Sequence, residues 1–346
     1  MTNELKHYYE EMLPALETEM RAVLQANSDR PTLYYGMMHY HMGWVDENLN
    51  PATINSGKRI RPILCLLTCA AAGGEWQQAV PAAAAIELLH NFSLIHDDIE
   101  DASPTRRGRP TLWQLWGIEQ AINSGDAMFA LAHLALNRLV ERGVPAERVV
   151  TALRRFGETC VALTIGQHHD MDFETRGEVT VEEYLAMIEG KTAVLLSLCA
   201  ELGALIAGQD AATTAHYATF GRDLGLAFQV KDDILGIWGD EERTGKSAAT
   251  DIETKKKTLP VLYGLNQSET LRRLYGESKP AQAEPDEGFV TAVITHLDQS
   301  GAYDFASGKA AQYSQSALDH LEAAQPGGSA YTALYQLTNM LLQRDF

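Results

Sequence analysis

The sequence predicts an all-α protein, and three observations carry that prediction. Apolar residues recur at three- and four-residue spacing through long Ala- and Leu-rich segments, the period of helices with a buried face. Alternating Val, Ile and Thr runs closed by Asn-Gly or Asp-Gly turns, the mark of hairpins, are almost absent. Breakers then cut the pattern into helix-sized pieces. A first helix, 3–26, stops before Arg30-Pro31, and 34–48 follows it. The segment 57–73 ends at Gly73-Gly74, and 77–101 runs on into an acidic cluster. After Gly108 to Pro110 come 111–119 and 123–142; Gly143 to Pro145 separates these from 145–174. Long helices follow at 180–207 and 212–238, closed by the stretch Gly239 to Ser247. The remaining helices are 258–276, 287–299, 302–324 and, after Pro326 to Gly328, 328–344. The least structured stretch, 277–286, reads as a surface loop, because helical periodicity resumes after it. No repeat or low-complexity tract interrupts the chain, so 1–346 reads as one all-α domain.

Composition narrows the function. The 346 residues carry 46 Asp and Glu against 28 Lys and Arg, a formal charge of −18. That balance argues against nucleic acid, which wants a basic face, and against an anionic membrane surface. The Glu-rich N-terminus lacks an apolar signal-peptide core. Thr192 to Gly208 is the most apolar stretch, but it is short for a membrane span and Glu201 interrupts it, so a buried helix is expected. Cys65, Cys69, Cys160 and Cys199 sit in apolar helical sequence without metal-like clustering. They read as buried reduced thiols of a cytoplasmic protein.

Two aspartate stations stand out. Residues 94–101 read LIHDDIED and 229–236 read QVKDDILG, each an Asp pair late in a long apolar helix. At roughly 100° per residue, Asp97 and Asp101 share a face, with His90 and Ser93 on the turns below. Like charges at this spacing repel. Leu88, Leu89, Phe92, Leu94, Ile95 and Ile99 surround the first run, so its carboxylates want a counter-charge that a divalent cation supplies. Arg106, Arg107 and Arg109 follow around Gly108, and guanidinium groups are preferred bidentate partners of phosphate. Carboxylates beside paired arginines suit a diphosphate bridged by Mg²⁺. At the second station Asp232 and Asp233 precede Asp240, Gly245-Lys246 and the basic run Lys255, Lys256 and Lys257. That run looks like a second phosphate anchor.

With these motifs in order, the chain resembles the trans-isoprenyl diphosphate synthases of the polyprenyl synthetase family. The resemblance covers about residues 55–265 and rests on GKRIRP (57–62), HDDIEDASPTRRGRPT (96–111), GQHHD (166–170), EGKTAVL (189–195), FQVKDDILGIWGD (228–240) and TGKSAATDIETKKKTLP (244–260). It implies an isoprenoid-synthase-like helical bundle with a central active-site cavity, with further helices over about 287–344. Asp97, Asp98 and Asp101 match the first aspartate-rich motif, and Asp232 and Asp233 the second. Asp97, Asp101 and Asp232 would hold Mg²⁺, three ions in all. Arg106, Lys191, Lys246 and Lys256 match the grip on an allylic diphosphate. Lys58, Arg61, His90 and Arg107 match the isopentenyl diphosphate pocket. Thr192 and Gln229 match residues beside the reacting carbon, and Gln167 and Asp170 a polar pair facing the allylic site. In one departure, Gly236 stands where the second motif usually has its third acid, with Asp240 a candidate to compensate.

The activity implied is head-to-tail condensation of isopentenyl diphosphate with an allylic diphosphate (dimethylallyl, geranyl or farnesyl). Phe92, Ser93 and Leu89, below the first motif, match chain-length positions and resemble the pattern of C20 geranylgeranyl synthases. Farnesyl and longer-chain products are the alternatives. A class I terpene cyclase and a non-catalytic partner subunit are further rivals. The first would need an N-D-x-x-S-x-x-x-E station; the second usually loses first-motif acids that are intact here. The dipeptide His96-Asp97 also raises an HD-type phosphohydrolase, which would leave the second Asp pair unexplained. His168 and His169 diverge by roughly 100° and are poor chelators; Trp113, Trp116 and Trp238 read as packing residues. A homodimer is the assembly the resemblance suggests.

Overall fold

The computed structural model describes residues 3–25, 32–54, 57–239, 250–276 and 287–343. Their helices are α1 (Asn3–Val23), α2 (Leu33–His41), α3 (Ile60–Ala71), α4 (Trp76–Glu100), α5 (Leu112–Trp116), α6 (Ile118–Asn137) and α7 (Ala146–Thr175). After these come α8 (Val181–Ile188), α9 (Val194–Ala207), α10 (Ala211–Trp238), α11 (Thr250–Glu253), α12 (Leu259–Gln267), α13 (Glu269–Gly276), α14 (Glu287–Gln299), α15 (Ala302–Ala323) and α16 (Gly328–Gln343). The expected all-α class holds. The expected loop at 277–286 lies outside the described residues.

Four of the differences from expectation have a local reason. The helix expected over 34–48 stops at His41, because Gly43 takes φ +78° and the Asp46 carboxylate then accepts the N–H groups of Asn48 and Asn50 at 2.9 Å. The segment 258–276 is two helices, parted at Ser268, whose extended backbone places its Oγ to accept the Leu271 N–H. The segment 180–207 is interrupted by a π-helical turn, Glu189–Ala193. Between α4 and α5, β1 (Thr105–Arg106) pairs antiparallel with β2 (Arg109–Pro110). Its two-residue loop, Arg107-Gly108, has φ of +53° and +74°, the positive pair that tight hairpins demand.

Contacts within the chain fall into two compact units. One comprises 1–160, 198–217 and 324–337, and the other 161–197, 218–323 and 338–346. The chain passes between them within α7, α9, α10 and α16, so neither is one continuous stretch. In the first unit α4 packs against α1, α3 and α6. It is apolar all round rather than on one face: Ala79, Val80, Ala82 to Ile86, Leu88 and Leu89 are almost fully buried, which places it centrally. Buried Glu19 is held by Arg138 and Arg142, and Glu201 takes a bidentate grip from Arg155. In the second unit α12 packs on α8, α13, α14 and α15. One cluster there joins Phe173, Tyr184, Ile188, Leu226, Val230 and Leu262; another joins Ile237, Ile252, Val261, Val293 and Leu297. Thr180 and Glu183 close a reciprocal capping box at the start of α8.

The apolar segment expected to be buried belongs to this frame. Leu195, Leu196, Leu198, Cys199, Ala200, Leu202 and Ala204 are nearly inaccessible. Val181–Ala207, taken through the π turn, is by length and composition alone long and apolar enough to cross a membrane; 61 % of its apolar window is buried inside the protein. All four cysteines are buried, and none is in a disulfide.

Candidate active site

In the first unit, the end of α4 carries the first acid station. The helix terminates at Glu100, and the N–H of its C-cap, Asp101, donates to the Asp97 carbonyl at 2.9 Å. Acids at a helix C-terminus oppose its dipole, so this end of α4 is poised for cations. The adjacent pair divides its labour. Asp97 is half-buried and Asp101 exposed, whereas Asp98 is buried and accepts from Arg106 Nε at 2.7 Å. Burial pushes the Asp98 carboxyl up, against the pull of Arg106. That ion pair ties hairpin strand β1 to the acid station.

The other hairpin cations have separate tasks. Arg109 donates to the carbonyls of Tyr40 and Val45, both at 3.0 Å, and lies 3.8 Å over the Tyr40 ring. It fastens the hairpin. Arg107 lies over Gly57, with Nη2 3.1 Å from where a Cβ would stand. The structure therefore joins the RRG turn to the GKRIRP loop. In that loop Arg59 sits at φ +51° and its guanidinium meets buried Glu87 at 2.5 Å. Arg61 Nη1 donates to His90 Nε2 at 3.3 Å. Burial, then Arg61 and Arg107, hold His90 well below its usual range, so it is a neutral acceptor. Among the described residues, the buried Nε of Arg61 meets no protein acceptor.

Below the station, Phe92 meets His96 edge-on at 4.8 Å and Phe129 at 5.0 Å. The stack continues through His133 to buried Phe156. Leu89 is fully buried, and Ser93 Oγ donates to the His90 carbonyl. Trp113 Nε1 donates to the Ser103 carbonyl, and Trp116 packs on Tyr40.

In the second unit, the π turn Glu189–Ala193 carries Lys191 and Thr192. It forms where α7 comes close: a Cβ on Gly166, first residue of GQHHD, would lie 2.2 Å from Lys191 N. Lys191 Nζ pairs with Asp170. Thr192 Oγ1 donates to Gln229 Oε1 at 3.1 Å, and Gln229 Nε2 donates to Asp233 Oδ1 at 3.1 Å. Tyr184 OH and the Leu259 N–H also donate to Asp233, at 2.7 and 3.2 Å. Burial lifts the Asp233 pKa to about 7 despite these donors.

This second Asp pair divides as the first does: Asp232 is exposed and Asp233 buried and saturated. Lys256 shares its surroundings with Asp251, Asp233, Asp170 and Asp232. Burial opposes its charge, yet these acids hold its pKa above the ordinary lysine value. Trp238 Nε1 donates to Asp298, and the rings of His168 and His169 lie 5.4 Å apart. Gln167 stands half-buried on α7. Lys246 and Asp240 lie outside the described residues.

Left-handed backbone marks the same loops. Among the described residues, seven non-glycine positions have positive φ, including Arg59, Ala102, Arg107 and Lys255. Each of these four stands in a motif picked out by sequence, and such strain gathers at functional sites.

Comparison with known proteins places the chain in a family. Residues 42–291 match the sequence profile of the polyprenyl synthetase family. The chain belongs to the polyprenyl synthetase family. A geranylgeranyl diphosphate synthase of Mycobacterium tuberculosis is 47 % identical over 230 residues, spanning 66 % of this chain and 65 % of that protein. A (2E,6E)-farnesyl diphosphate synthase of the same organism is 40 % identical over 288 residues, 82 % of this chain and 78 % of that one. The crystal structure of a polyprenyl synthetase from Streptomyces coelicolor superposes with a TM-score of 0.86 at 33 % identity, covering 98 % of this chain and 99 % of that one. As a member of this family, the chain is a prenyltransferase.

Polyprenyl synthetases are generally Mg²⁺-dependent, and the donors here suit that ion in one respect. Among the described residues no three His, Cys, Asp or Glu side chains converge into a protein cage. Mg²⁺ wants instead one or two carboxylates plus phosphate oxygens and water, which outward acids such as Asp97, Asp101 and Asp232 can give. Sequence reasoning missed the supports behind them: Glu87 under Arg59, Tyr184 under Asp233, and Arg222 under Glu189, whose carboxylate it grips at 2.6 and 2.8 Å. These partners lie 28 to 49 residues apart in the chain, and only tertiary structure pairs them.

Proposed function

We propose that this polyprenyl synthetase is a Mg²⁺-dependent geranylgeranyl diphosphate synthase, joining isopentenyl diphosphate head to tail (1′-4) to an allylic diphosphate. The carrying observation is the cluster at the end of α4, where half-buried Asp97 and exposed Asp101 adjoin the Arg61–His90 pair and the Arg106-Arg107 turn. Carboxylate oxygens, hard ligands for a hard cation, beside fixed positive charges suit a diphosphate presented with divalent metal. The relatives named above, which make C20 and C15 chains, support a short product.

Asp97, Asp101 and Asp232 would hold three Mg²⁺ ions, which when bound neutralise the leaving diphosphate as Lewis acids. Arg106, Lys191, Lys246 and Lys256 bind the allylic diphosphate and stabilise charge as the C–O bond ionises. Asp170 holds Lys191 in place. Lys58, Arg61, His90 and Arg107 fix the isopentenyl headgroup, so orientation replaces a chance encounter. Gln229 cannot flip, because Asp233 takes its N–H and Thr192 its oxygen; the lone pairs of Thr192 are left for a carbocation. Gln167 lines the allylic side. Phe92, with Phe129 behind it and Leu89 and Ser93 beside it on α4, closes the chain cavity at C20 length.

The exposed stripe of α6 that carries Ile122 and Leu134 supports a homodimer. Four buried cysteines outside any disulfide support a reducing, cytoplasmic setting, with Val181–Ala207 as a core helix and not a span.

The test is incubation with labelled isopentenyl diphosphate, each allylic starter and Mg²⁺, then chain-length analysis of the hydrolysed product. Geranylgeraniol is expected. A C15 or C25 alcohol overturns the length, a cyclic hydrocarbon favours a cyclase, and absence of product overturns the activity.

A further inference from the structure

The second acid station lacks its third member in sequence, and the structure shows what stands in that space. On α10, Asp232 and residue 236 are one turn apart on one face, the spacing of Asp97 and Asp101 on α4. Residue 236 is glycine. A Cβ built there would lie 2.2 Å from Asp251 Oδ2 and 2.8 Å from Asp251 Cγ. The carboxylate of Asp251 thus fills the volume in which an acidic side chain at 236 would begin.

The segment bearing Asp251 is anchored for this placement. Ile252, the next residue, is fully buried in one cluster with Ile237 of α10. The Asp251 carbonyl accepts the Lys256 N–H at 2.8 Å, across a turn in which Lys255 takes φ +55°. This turn brings Lys256 back beside the acid, and Asp251 is foremost among the carboxylates acting on it. The third acid is therefore absent from α10, and the Asp251 carboxylate of α11 stands in its space, beside the lysine that shares its charge.

We propose that Asp251 is the third acid of the second station. Its carboxylate, delivered from α11 into the space that Gly236 leaves open, acts with Asp232 on the divalent cation that accompanies a diphosphate and orients Lys256 toward the same group. The proposal rests on the Mg²⁺-dependent reading above and goes beyond it in assigning a role to Asp251 and a reason for Gly236.

Three variants test it, with Mg²⁺ binding measured calorimetrically in the presence of inorganic diphosphate alongside turnover. The isosteric Asp251→Asn is expected to weaken Mg²⁺ binding roughly 10–100-fold and to raise the Mg²⁺ needed for half-maximal turnover in parallel. Gly236→Ala, whose methyl displaces the carboxylate, should shift both in the same direction. The double variant G236D/D251A, which clears the side chain from that space and returns an acid from α10, should recover most of the loss; a merely structural role for Asp251 would not be rescued this way. The inference is overturned if D251N binds Mg²⁺ as the unaltered protein does, or if both D251N and the double variant are equally impaired. If the unaltered protein binds Mg²⁺ and diphosphate but makes no prenyl product, the functional reading fails while the binding comparison still decides the role of Asp251. If it binds no Mg²⁺ with diphosphate, both fall.

Discussion

At the scale of single residues, the recurring device is an Asp pair split between two environments. Asp97 is half-buried and Asp232 exposed, while Asp98 and Asp233 are buried and satisfied by neighbours. Their replacements should therefore fail differently. Asp97→Ala or Asp101→Ala is expected to abolish turnover with the helical circular dichroism and melting point unchanged. Asp98→Ala should cost about 1–3 kcal/mol of stability, because Arg106 loses its buried partner; equal melting points for all three variants would refute the distinction. The acids themselves were legible in sequence, since a D-D-x-x-D run in apolar surroundings is anomalous. Which acid turns inward was not, because that depends on Arg106 and Tyr184 arriving from elsewhere in the chain. His41 gives a second residue-scale prediction. Burial, then Arg106, Arg107 and Arg59, hold its pKa down at about 3, so it stays neutral in the folded protein while the unfolded chain titrates near 6.5. Its contribution is intact above pH 6.5 and is lost as pH falls toward 3, by about 2 kcal/mol at pH 5. Urea unfolding at pH 7 and pH 5 should show His41→Asn losing less stability than the unaltered protein by about that amount.

At the scale of elements, the long helices were legible because their apolar period is strong, and the missed features are those built by close approach. The π turn at 189–193 leaves no mark in periodicity. It arises where Gly166 admits the α7 backbone and where Arg222 clamps Glu189 at its first residue. Arg222 also donates to Asp223 at 2.9 Å, and Asp223 accepts from Ser316 on α15 at 2.6 Å, so the clamp is itself braced. Arg222→Gln should let the turn relax toward ordinary α-helix and misplace Thr192. A shift of about 1 Å at reacting groups can cost roughly 100-fold. The expected signature is a fall in kcat with the KM for isopentenyl diphosphate unchanged, since Lys58, Arg61, His90 and Arg107 are untouched; a pure rise in that KM would contradict it. The hairpin at 105–110 escaped notice because its strands are polar and only two residues long, though Arg-Gly before a second strand was a usable signal. The aromatic stack from Phe92 on α4 through Phe129 on α6 to Phe156 on α7 yields another element-scale prediction. Phe92→Ala opens the first layer of that stack and should lengthen the product beyond C20. Unchanged chain length on chromatography would place the floor elsewhere.

At the scale of the whole molecule, the fold class and the order of motifs were readable from one sequence, since both rest on periodicity and fixed spacing. The partition of contacts into two units was not, because it falls inside helices that look continuous in sequence. Net charge was the most misleading global quantity. With a formal charge of −18, the protein as a whole repels free diphosphate, and that repulsion is screened only beyond about 8–10 Å at ordinary ionic strength. Locally the sign is mixed: Asp97 and Asp101 repel the ligand while Arg61, Arg106 and Arg107 attract it. Metal decides the balance, because Mg²⁺ converts the acids from repulsive to attractive neighbours. The thermal midpoint of unfolding should therefore rise when Mg²⁺ and inorganic diphosphate are added together and barely move with either alone. A ligand at 100 times its dissociation constant adds about 2.7 kcal/mol to the folded state, enough for a shift of a few degrees in a chain of this size. EDTA should erase the shift without altering the helical signal, because Mg²⁺ is asked to bridge ligand and acids and not to hold the helices together. If diphosphate in EDTA raised the midpoint as much as the mixture did, the arginines and lysines would suffice alone, and the acid stations would need a different explanation.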